Sequence, residues 1–598
     1  MYVPALDNLI VSEEVETVVT KQVDPGKSPG PDGLSPAFFK WLPAQWIMFL
    51  ASLLNCVYFG DYPSHWAYAK LTMLFKSGQK LSCDNYRGIS IIDSISKIYD
   101  YILCNRLMIW FIPDREQAGA LPGRSCMEHI VALRLLFEFF RKKKEEKLFV
   151  LFVDFSKAYD RVPRRALIQT LLNLGCSTIM LGAIISMYKM NYSILGLAII
   201  TAVIGVRQGS PTSCFLFTVF VNSLIRNLKQ YCASERYLEW LHCLMLMDDT
   251  VILATSRESM KQKLLVLQNF CRDSGMVINE KKTKFFVING SDEDLEPFVL
   301  DILTPVVTVR SCTSYVYLGS HFSADGKLST SLELHAKDKK SHLNKLITFM
   351  TINKDFPFHA KRKVLEAAFN SAILYGSEAW VNCSLAPIKG LYMSAIKVVL
   401  GVRQTTPNDI ALVEIGMPSL EALVLKKQEN FFCKILEERQ DLYDDPFMHV
   451  FRMIADSALG RHIKNVALGR QTAKHNPVEN IRRATGSKFT LYRSINPRLE
   501  VPPIYTTYQP HVHEHLRVSY TRIRTSSHRL RVETGRWARI AREDRLCICG
   551  EDIQDEKHVL QFCNAVDHLR PEDGVEFPLC LQENIPFQMI HDILEFYQ

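Results

Sequence analysis

The order of patterns along the 598-residue chain predicts an α+β fold. Helical patterns come first, strands mixed with helices fill the middle, and helices return before an Arg-rich tail. Apolar residues make up 47% of the chain, which is enough for packed cores and excludes wholesale disorder. At roughly 150 residues per domain, the length predicts about four domains or fewer large ones.

Composition and the first residues argue against a secreted protein. Sixteen cysteines in 598 residues are too few for a disulfide scaffold. The stretch up to Glu16 contains neither the basic nor the apolar region of a signal peptide. We therefore expect reduced thiols and an intracellular protein, in the cytoplasm, the nucleus or both.

The net charge of +8 is unevenly distributed. Between Phe451 and Arg545 there are 19 Lys or Arg and 7 Asp or Glu, a net of +12, so the remaining chain carries −4. This asymmetry predicts a polyanionic partner for the basic segment, and a solvated basic surface is the alternative.

Three long uncharged stretches have to be weighed as membrane spans. Polar residues interrupt Trp41–Gly60, which we interpret as a buried helix, and Ala166–Tyr188, which we interpret as two helices meeting at Gly175. Met190–Val206 is rich in β-branched residues and predicts two buried strands joined near Gly196. We therefore expect no contact with a membrane, although a span at the first stretch remains the alternative.

Two groups of carboxylates, 94 residues apart, carry the strongest chemical signal. Asp154 directly follows Leu148–Val153, an apolar run typical of a buried strand. Asp248 and Asp249 lie between apolar runs, as in a β-hairpin. Adjacent carboxylates repel each other, which favours the binding of a cation between them. Two Mg²⁺ ions held there would activate an attacking hydroxyl and stabilise a leaving pyrophosphate. A helix cap and an ordinary surface hairpin are the alternatives.

Three segments resemble successive motifs of reverse transcriptases, most closely those of non-LTR (LINE-like) retrotransposons. In chain order they are Val153–Asp160, Gly205–Pro211 and Leu246–Asp249. Other motifs of that family resemble Gly26–Gly33, Asn85–Ser90, Gln117–Ser125, Asn279–Lys284 and Tyr317–Gly319. The resemblance covers about residues 20–330. It implies a right-hand polymerase fold with fingers, a palm containing an antiparallel sheet, and a helical thumb.

The sequence departs from the family pattern at two positions. Leu246 stands where an aromatic residue is usual, but it keeps the hairpin apolar and touches no metal. Ala120 also replaces a usual aromatic residue, so we expect the loss of one fingers contact.

The resemblance also implies roles for individual residues. Asp154 and Asp248 would bind the two Mg²⁺ ions, with Asp249 supporting them. Tyr159 would lie under the sugar and reject a 2′-hydroxyl, and Arg87 would hold the incoming triphosphate. The alternatives are a tyrosine packed on the palm and an arginine in a surface ion pair.

Further positions resemble nucleotide-binding residues of the family. Gln208 and Gly209 would contact the nucleotide and its base pair, and glycine would permit a close approach of the backbone. Lys282 would approach the leaving pyrophosphate. Lys281 and Lys284 compete for that role, and a solvated lysine cluster is the alternative.

A cysteine and histidine pattern near the carboxyl terminus suits tetrahedral Zn²⁺. Cys547, Cys549, His558 and Cys563 have the spacing C-x-C-x8-H-x4-C, which is tighter at its start than usual. Unrelated buried thiols are the alternative, but LINE-like proteins often end in such a knuckle after an Arg-rich stretch. The nearby run His511–His515 lacks a fourth partner and is interpreted as solvent-facing.

Several basic and aromatic residues are candidates for contact with nucleic acid. Arginines bind phosphates and aromatic rings stack on bases. The candidates are Arg124 in the fingers segment and Arg529, Arg531, Arg536 and Trp537 before the zinc pattern.

The predicted organisation has four parts. They are an N-terminal extension with fingers at 1–140, a palm at 141–335 with fingers returning at about 170–205, a helical thumb and connector at 336–450, and a basic region at 451–598 with the Cys/His element at 547–563.

The resulting functional hypothesis is an RNA-directed DNA polymerase of a non-LTR retrotransposon. It would extend a primer 3′-hydroxyl with dNTPs on an RNA template at a DNA target. We expect no endonuclease domain, because only about 25 residues precede the first motif. The rival hypotheses are a catalytically silent nucleic-acid-binding derivative and an intron-type maturase. Protein partners are not predicted.

Overall fold

The computed structural model describes residues 2–76, 78–507, 509, 512–583 and 585–598, which form two compact units. Unit 1 contains the chain up to Leu318 together with 324–326 and 441–454, and unit 2 contains 319–323, 327–440 and 455–598. Each unit has its own hydrophobic core. Asp154, Asp248 and Asp249 belong to unit 1, whereas the Cys/His pattern belongs to unit 2.

Strands occur mainly in unit 1. In the described residues they are β1 (Tyr68–Phe75), β2 (Tyr86–Ile91), β3 (Leu148–Val153), β4 (Tyr192–Leu195), β5 (Ala198–Thr201), β6 (Cys243–Leu246), β7 (Asp249–Ala254), β8 (Lys284–Ile288), β9 (Phe298–Leu300), β10 (Val307–Ser311), β11 (Ser314–Tyr317) and β12 (Ser320–Ser323).

Helices occur in both units. In the described residues the α-helices are α1 (Pro4–Asp7), α2 (Ser12–Thr17), α3 (Pro36–Lys40), α4 (Ala44–Tyr58), α5 (Ser94–Trp110), α6 (Cys126–Lys142), α7 (Ala158–Arg161), α8 (Arg164–Asn173), α9 (Thr178–Lys189), α10 (Pro211–Tyr231), α11 (Arg257–Ser274), α12 (Leu328–Ile352), α13 (Phe358–Val364), α14 (Ser371–Ile373), α15 (Ala386–Leu400), α16 (Asn408–Ile415), α17 (Leu420–Arg439), α18 (Pro446–Ile454), α19 (Ala458–Ala467), α20 (Pro477–Arg483), α21 (Ser487–Ile495), α22 (Pro503–Thr506), α23 (Glu514–Arg524), α24 (Arg531–Trp537) and α25 (Phe587–Phe596).

The main sheet of unit 1 is built around β3. Its strand order is β6-β7-β3-β8-β10-β9, with β3 antiparallel to both of its neighbours and β8 parallel to β10. Every residue of β3 is buried, which explains its continuous apolar sequence. Phe152 also stacks on Tyr315 with ring centroids 4.2 Å apart. The strand therefore holds its last residue, and Asp154 after it, in a fixed position.

Helix α18 returns to unit 1 from far along the chain. It packs on α6, and the His449 imidazole lies 2.9 Å from the carbonyl oxygen of Tyr237. Just before the helix, Asp445 is buried and forms an ion pair with Arg124 at 3.4 Å. Residues 441–454 thus complete the core of unit 1.

Two predictions for uncharged stretches are confirmed in their secondary structure. Helices α8 and α9 meet around Gly175, which has a φ of +79°. Strands β4 and β5 form a hairpin around Gly196, but the prediction that they are buried is wrong, since Ile199 and Ile200 are exposed. They form the edge of a separate sheet, of order β2-β1-β4-β5, which leaves them open to solvent.

Helix α4 differs from the predicted buried helix. Leu50 and Leu54 are buried, whereas Trp46 and Phe49 are exposed, so only one side of the helix joins the core. Within the described ranges, no helix combines the length and the apolar character that crossing a membrane requires.

A further polar stretch at about 470–510, whose composition predicts a linker, is instead folded in its described residues. It contains α20, α21 and α22, and it buries Ile481, Tyr492 and Ile495. These few apolar side chains are separated by polar residues, and the short helices place them on the inner side. The carboxyl-terminal region consequently shares one core with the preceding helices, as shown by Leu332 and Ile593 in the same apolar cluster.

Two arginines of the basic segment stabilise the fold of unit 2. The Arg524 guanidinium donates to the buried carboxylate of Glu414 at 2.8 Å, and that carboxylate also accepts from the hydroxyl of Tyr492. Arg517 pairs in the same way with Glu514 at 2.7 Å. The net charge of the segment thus overstates the charge that it offers to a partner.

We predict that Arg524→Met destabilises unit 2 by about 3–5 kcal/mol, because Glu414 would remain buried without its partner. Urea unfolding, followed by hydrogen exchange of the α16 and α23 amides, measures this change. Arg482→Met, at an exposed position in α20, is the matched control and should change stability by less than about 0.5 kcal/mol. Equal effects of the two substitutions would contradict the prediction.

Candidate functional site

The end of β3 and the β6–β7 hairpin bring the predicted carboxylates together. Val153 pairs with Thr250 across the sheet, which places Asp154 next to Asp249. A two-residue turn joins β6 to β7, and it contains Met247 with a φ of +58° and Asp248. The predicted strand and hairpin are both present. The left-handed residue of the turn is Met247, although aspartate is the residue type that tolerates this geometry better.

The pKa values of Asp248 and Asp249 are raised. Burial raises the pKa of Asp248, and the charge of Asp154 adds to this effect. Burial, followed by the charges of Asp248 and Asp154, raises the pKa of Asp249 to about 6. Lys282 and Arg87 oppose the shift, but less strongly. Such a cluster is well suited to divalent cations, which would neutralise the repulsion and accept oxygen ligands.

Gln117 supports the hairpin, a role that no pattern in the sequence predicts. Its side-chain oxygen accepts from the amides of Met247 at 3.0 Å and Gly119 at 2.8 Å. The residue is completely buried, and the amide of Ala118 donates to the carbonyl oxygen of Met245. The only available signal was its position at the start of the segment that resembles a fingers motif. Gln117 thus fixes the turn that carries Asp248.

Tyr159 lies near the carboxylates and is stacked on a core ring. Its ring centroid is 4.5 Å from that of Phe217, with the planes 14° apart. Burial and the neighbouring Cys214 thiol raise its pKa, and the charges of Asp248 and Arg87 also act on it. One side of the tyrosine therefore packs on helix α10, while its hydroxyl is within electrostatic reach of the acidic cluster.

Arg87 is exposed on β2, opposite Leu74 in the neighbouring strand. Its positive charge lowers the pKa values of Asp248 and Asp249, so it lies on the same side of unit 1 as these acids. In the described part of the chain, no ion pair involves its guanidinium. The guanidinium is thus available to a phosphate.

The loop before α10 is attached to β2. The amide of Ser90 donates to the carbonyl oxygen of Gln208 at 2.8 Å, while the Gln208 side chain donates to Asp160 at the same distance. A Cβ at Gly209, which has a φ of +110°, would overlap the carbonyl oxygen of Ser90. The close approach expected of this glycine is therefore made to the strand that carries Arg87.

Among the competing lysines, Lys282 is the one that reaches the acidic cluster. Its ammonium lies 3.6 Å from Asp154. Lys284 instead contacts the carbonyl oxygen of Glu280 at 3.5 Å, and Lys281 is exposed. Only Lys282 thus combines exposure to solvent with an ion pair to Asp154.

Arg124 is engaged within unit 1. Its guanidinium pairs with Glu128 at 2.9 Å and donates to the carbonyl oxygen of Arg115, in addition to its pair with Asp445. Only 11% of its side chain is exposed. Its predicted contact with nucleic acid stays a prediction.

The four members of the Cys/His pattern converge in unit 2. The candidate ligand atoms of Cys547, Cys549, His558 and Cys563 all lie within 4.8 Å of one another. The sulfurs of Cys547 and Cys563 are 3.5 Å apart, and the Cys549 sulfur is 3.2 Å from Nε2 of His558. Ligands at about 2.0–2.3 Å from a tetrahedral zinc are separated by roughly 3.3–3.8 Å. The two short separations are close to this range, and the longest separations in the set reach 4.8 Å.

Tyr597 belongs to the same site, although no pattern in the sequence predicts this. Its hydroxyl lies 3.4 Å from the Cys547 sulfur and 2.9 Å from that of Cys563. Burial raises the pKa of Cys547, but hydrogen bonds from Tyr597 and the backbone of Cys549 outweigh it and lower the pKa to about 6. The thiolate form that binds metal is therefore favoured at one cysteine. Tyr597 was missed because it lies 34 residues after Cys563, the last member of the pattern.

The predicted nucleic-acid contacts of the basic segment are all exposed. Arg531, Arg536 and Trp537 lie on α24, and Arg529 precedes it. Arg536 pairs with Glu533 at 3.2 Å, and the guanidinium of Arg403 lies 3.9 Å from the centre of the Trp537 ring. In the run His511–His515, which was interpreted as solvent-facing, His511 is outside the described residues, and His513 and His515 are exposed.

Comparison with known proteins agrees with this geometry. Residues 76–322 match the family model described as reverse transcriptase (RNA-dependent DNA polymerase). The matched range includes Arg87, Asp154, Gln208, Asp248 and Lys282. Residues 76–322 are a reverse transcriptase domain. The domain thus includes both the acidic cluster and the loop that is attached to β2.

Relatives in Drosophila melanogaster come from retrotransposable elements. A 115 kDa protein of the type-1 element R1DM is 25% identical over 72% of this chain, and the probable RNA-directed DNA polymerase of transposon BS is 26% identical over 62%. The Pol polyprotein of the type-2 element R2DM is 22% identical over 53%. These matches confirm the resemblance to non-LTR reverse transcriptases. The chain spans 43%, 42% and 31% of these relatives' own lengths.

We predict that the Cys/His site binds about one zinc per chain, since four suitable donors already converge there. The double substitution Cys547→Ser/Cys549→Ser should remove the zinc and lower the thermal stability of unit 2, because zinc bound to the folded state stabilises it. Metal analysis and thermal unfolding measure both effects. The control Cys383→Ser/Cys433→Ser alters two cysteines outside the site. Equal zinc contents in the two double variants would refute the site.

Proposed function

We propose that this chain is an RNA-directed DNA polymerase of a non-LTR retrotransposon. It would extend a primer 3′-hydroxyl with dNTPs on an RNA template and act in retrotransposition. The observation that carries the proposal is the convergence of Asp154, Asp248 and Asp249 at the end of β3 within the reverse transcriptase domain. The rival hypothesis is a catalytically silent descendant of such an element. It does not account for three acids whose mutual repulsion is unfavourable without a cation.

The finer parts of the polymerase fold belong to the same proposal. The sheet around β3 corresponds to the palm, and the sheet that includes β1 and β2 corresponds to the fingers. The helices between 336 and 450 would provide the thumb and connector. Residues 451–598 would provide a nucleic-acid-binding region with a zinc site at 547–563.

The acidic cluster fits the two Mg²⁺ ions that the family implies, with Asp154 and Asp248 as ligands. When bound, these ions would supply charge stabilisation for the attacking and leaving oxygens. The primer 3′-oxygen would form a bond to the α-phosphorus of the dNTP, while the bond from that phosphorus to the pyrophosphate breaks. Lys282, 3.6 Å from Asp154, would offer its ammonium to the departing pyrophosphate.

The remaining residues would position the nucleotide. Arg87 would bind the triphosphate with its exposed guanidinium, because the planar arrangement of guanidinium donors matches phosphate oxygens. Gln208 and Gly209 would contact the nucleotide and the base pair from a loop that hydrogen bonds to β2. Tyr159 would contact the sugar, with its ring held by Phe217.

We predict that Asp248→Asn lowers DNA synthesis at least about 10³-fold, because several kcal/mol of transition-state stabilisation would be lost. Primer extension on poly(rA)/oligo(dT) with Mg²⁺ measures this loss. Asp292→Asn removes an exposed carboxylate elsewhere in unit 1 and should leave synthesis unchanged. Wild-type synthesis no higher than that of Asp248→Asn would rule out the enzymatic proposal.

We also predict that Tyr159→Val relaxes discrimination against ribonucleotides by roughly 10–100-fold, since the ring would no longer collide with a 2′-hydroxyl. The measurement is the ratio of kcat/KM for dNTP and rNTP. Tyr159→Phe keeps the ring and should keep the discrimination. An unchanged ratio in the valine variant would show that the tyrosine only packs on Phe217.

A further inference from the structure

Unit 2 contains a cavity of about 330 Å³ that is lined by arginine side chains. Arg403, Arg522 and Arg529 line it, together with His528 and Tyr597. The Tyr597 hydroxyl contacts the sulfurs of the zinc site, so one wall of the cavity is held by that site. In the part of the chain that the structure describes, its lining residues include no Asp or Glu side chain, and Gln598, the last residue given, also lines it. We call this cavity the arginine pocket.

Several N–H donors of the guanidinium groups in the arginine pocket form no hydrogen bond with the described residues. Arg522 donates through Nε to the carbonyl oxygen of Gly401 at 3.0 Å. Arg529 is exposed, and among the described residues it takes part in no hydrogen bond or ion pair. Arg403 donates through Nη2 to the carbonyl oxygen of His528, whereas its buried Nη1 has no acceptor within the described ranges. A buried donor without an acceptor is costly, so an acceptor is needed at this point.

The positive charges at the arginine pocket also repel one another. Burial lowers the pKa of Arg403, and the charges of Arg529 and Arg522 lower it further, against an opposing effect of Glu533. Burial and then the charge of Arg529 lower the pKa of Arg522, against an opposing effect of Glu595. A bound anion would relieve this repulsion and accept hydrogen bonds from several guanidinium groups. Phosphate oxygens match the planar donor geometry of arginine.

We propose that the arginine pocket binds one phosphate group and that the backbone of a single-stranded nucleic acid supplies it. This assignment rests on the proposed function for the class of partner. It is favoured over a free phosphate by the adjoining surface of α24. There Trp537, whose side chain is 51% exposed, offers a ring for base stacking, and Arg403 lies directly against that ring. Phosphate contact and stacking on neighbouring groups are typical of sites that bind single strands.

The test measures how the full chain binds a single-stranded RNA 20-mer, by fluorescence anisotropy over a range of salt concentrations. Arg529→Gln should weaken binding roughly tenfold at low salt, since a charge-assisted contact is lost. The slope of log affinity against log salt should fall by about one, independently of the RNA sequence. Because Arg529 is exposed, we expect Arg529→Gln to fold like the wild-type chain, so that misfolding does not explain weaker binding. Comparison of the two circular dichroism spectra verifies this.

The matched control removes the same charge from another exposed site of unit 2. Arg482→Gln, on α20, should keep the wild-type affinity within about twofold and the wild-type slope within error. The double variant Arg522→Gln/Arg529→Gln should lose more affinity than Arg529→Gln alone. Identical curves for Arg482→Gln and the double variant would overturn the pocket.

A second measurement separates the two sources of phosphate. Inorganic phosphate should compete with RNA for the wild-type chain and have less effect on the double variant. The ³¹P signal of inorganic phosphate could broaden with the wild-type chain but not with the double variant. If the double variant also bound RNA as tightly as the wild-type chain, the assignment to a nucleic-acid backbone would be overturned. Primer extension by the wild-type chain is measured separately. If no primer extension occurred, the polymerase proposal would be rejected. The binding curves would still show whether the arginine pocket binds phosphate.

Discussion

The mutual repulsion of three carboxylates is the constraint on which unit 1 depends. Asp154, Asp248 and Asp249 lie where β3 and the β6–β7 turn end, and burial makes the charges of Asp248 and Asp249 more costly. A flexible peptide would separate such groups. They remain together because β3 is buried on both faces and because the side-chain oxygen of Gln117 accepts a hydrogen bond from the Met247 amide of the turn. The stability of the surrounding sheet thus maintains a cluster that is unfavourable until a cation is bound.

In unit 2 the unevenly distributed charge is positive. Its basic segment divides into arginines that are neutralised inside the fold and arginines that remain open to solvent. Arg524 pairs with buried Glu414, whereas Arg529 has no such partner among the described residues. A net charge counted from the sequence cannot make this distinction, because it depends on which acids the fold brings near. The electrostatic contribution of the segment to binding therefore rests on fewer residues than its composition indicates.

The sequence predicted the parts of the molecule that depend on local patterns. The buried strand before Asp154, the Asp248 hairpin and the break at Gly175 follow from apolar runs and turn residues. The support from Gln117 and the contact of Tyr597 with two cysteines could not be predicted, since they join residues distant in the chain. Burial of β4 and β5 was predicted wrongly because an apolar, β-branched run does not reveal whether its outer face is covered.

The return of α18 to unit 1 has a consequence for how the protein is made and dissected. Its contacts with α6 and Tyr237 join segments that are more than 200 residues apart. Such pairings pay a large loop-closure entropy and slow folding. During synthesis, unit 1 would remain incomplete until the ribosome had passed residue 454, with most of unit 2's first helices already made. A shortened polymerase fragment would accordingly need residues 441–454 grafted onto it, and truncation at the end of the matched family region would leave an apolar surface of α6 uncovered.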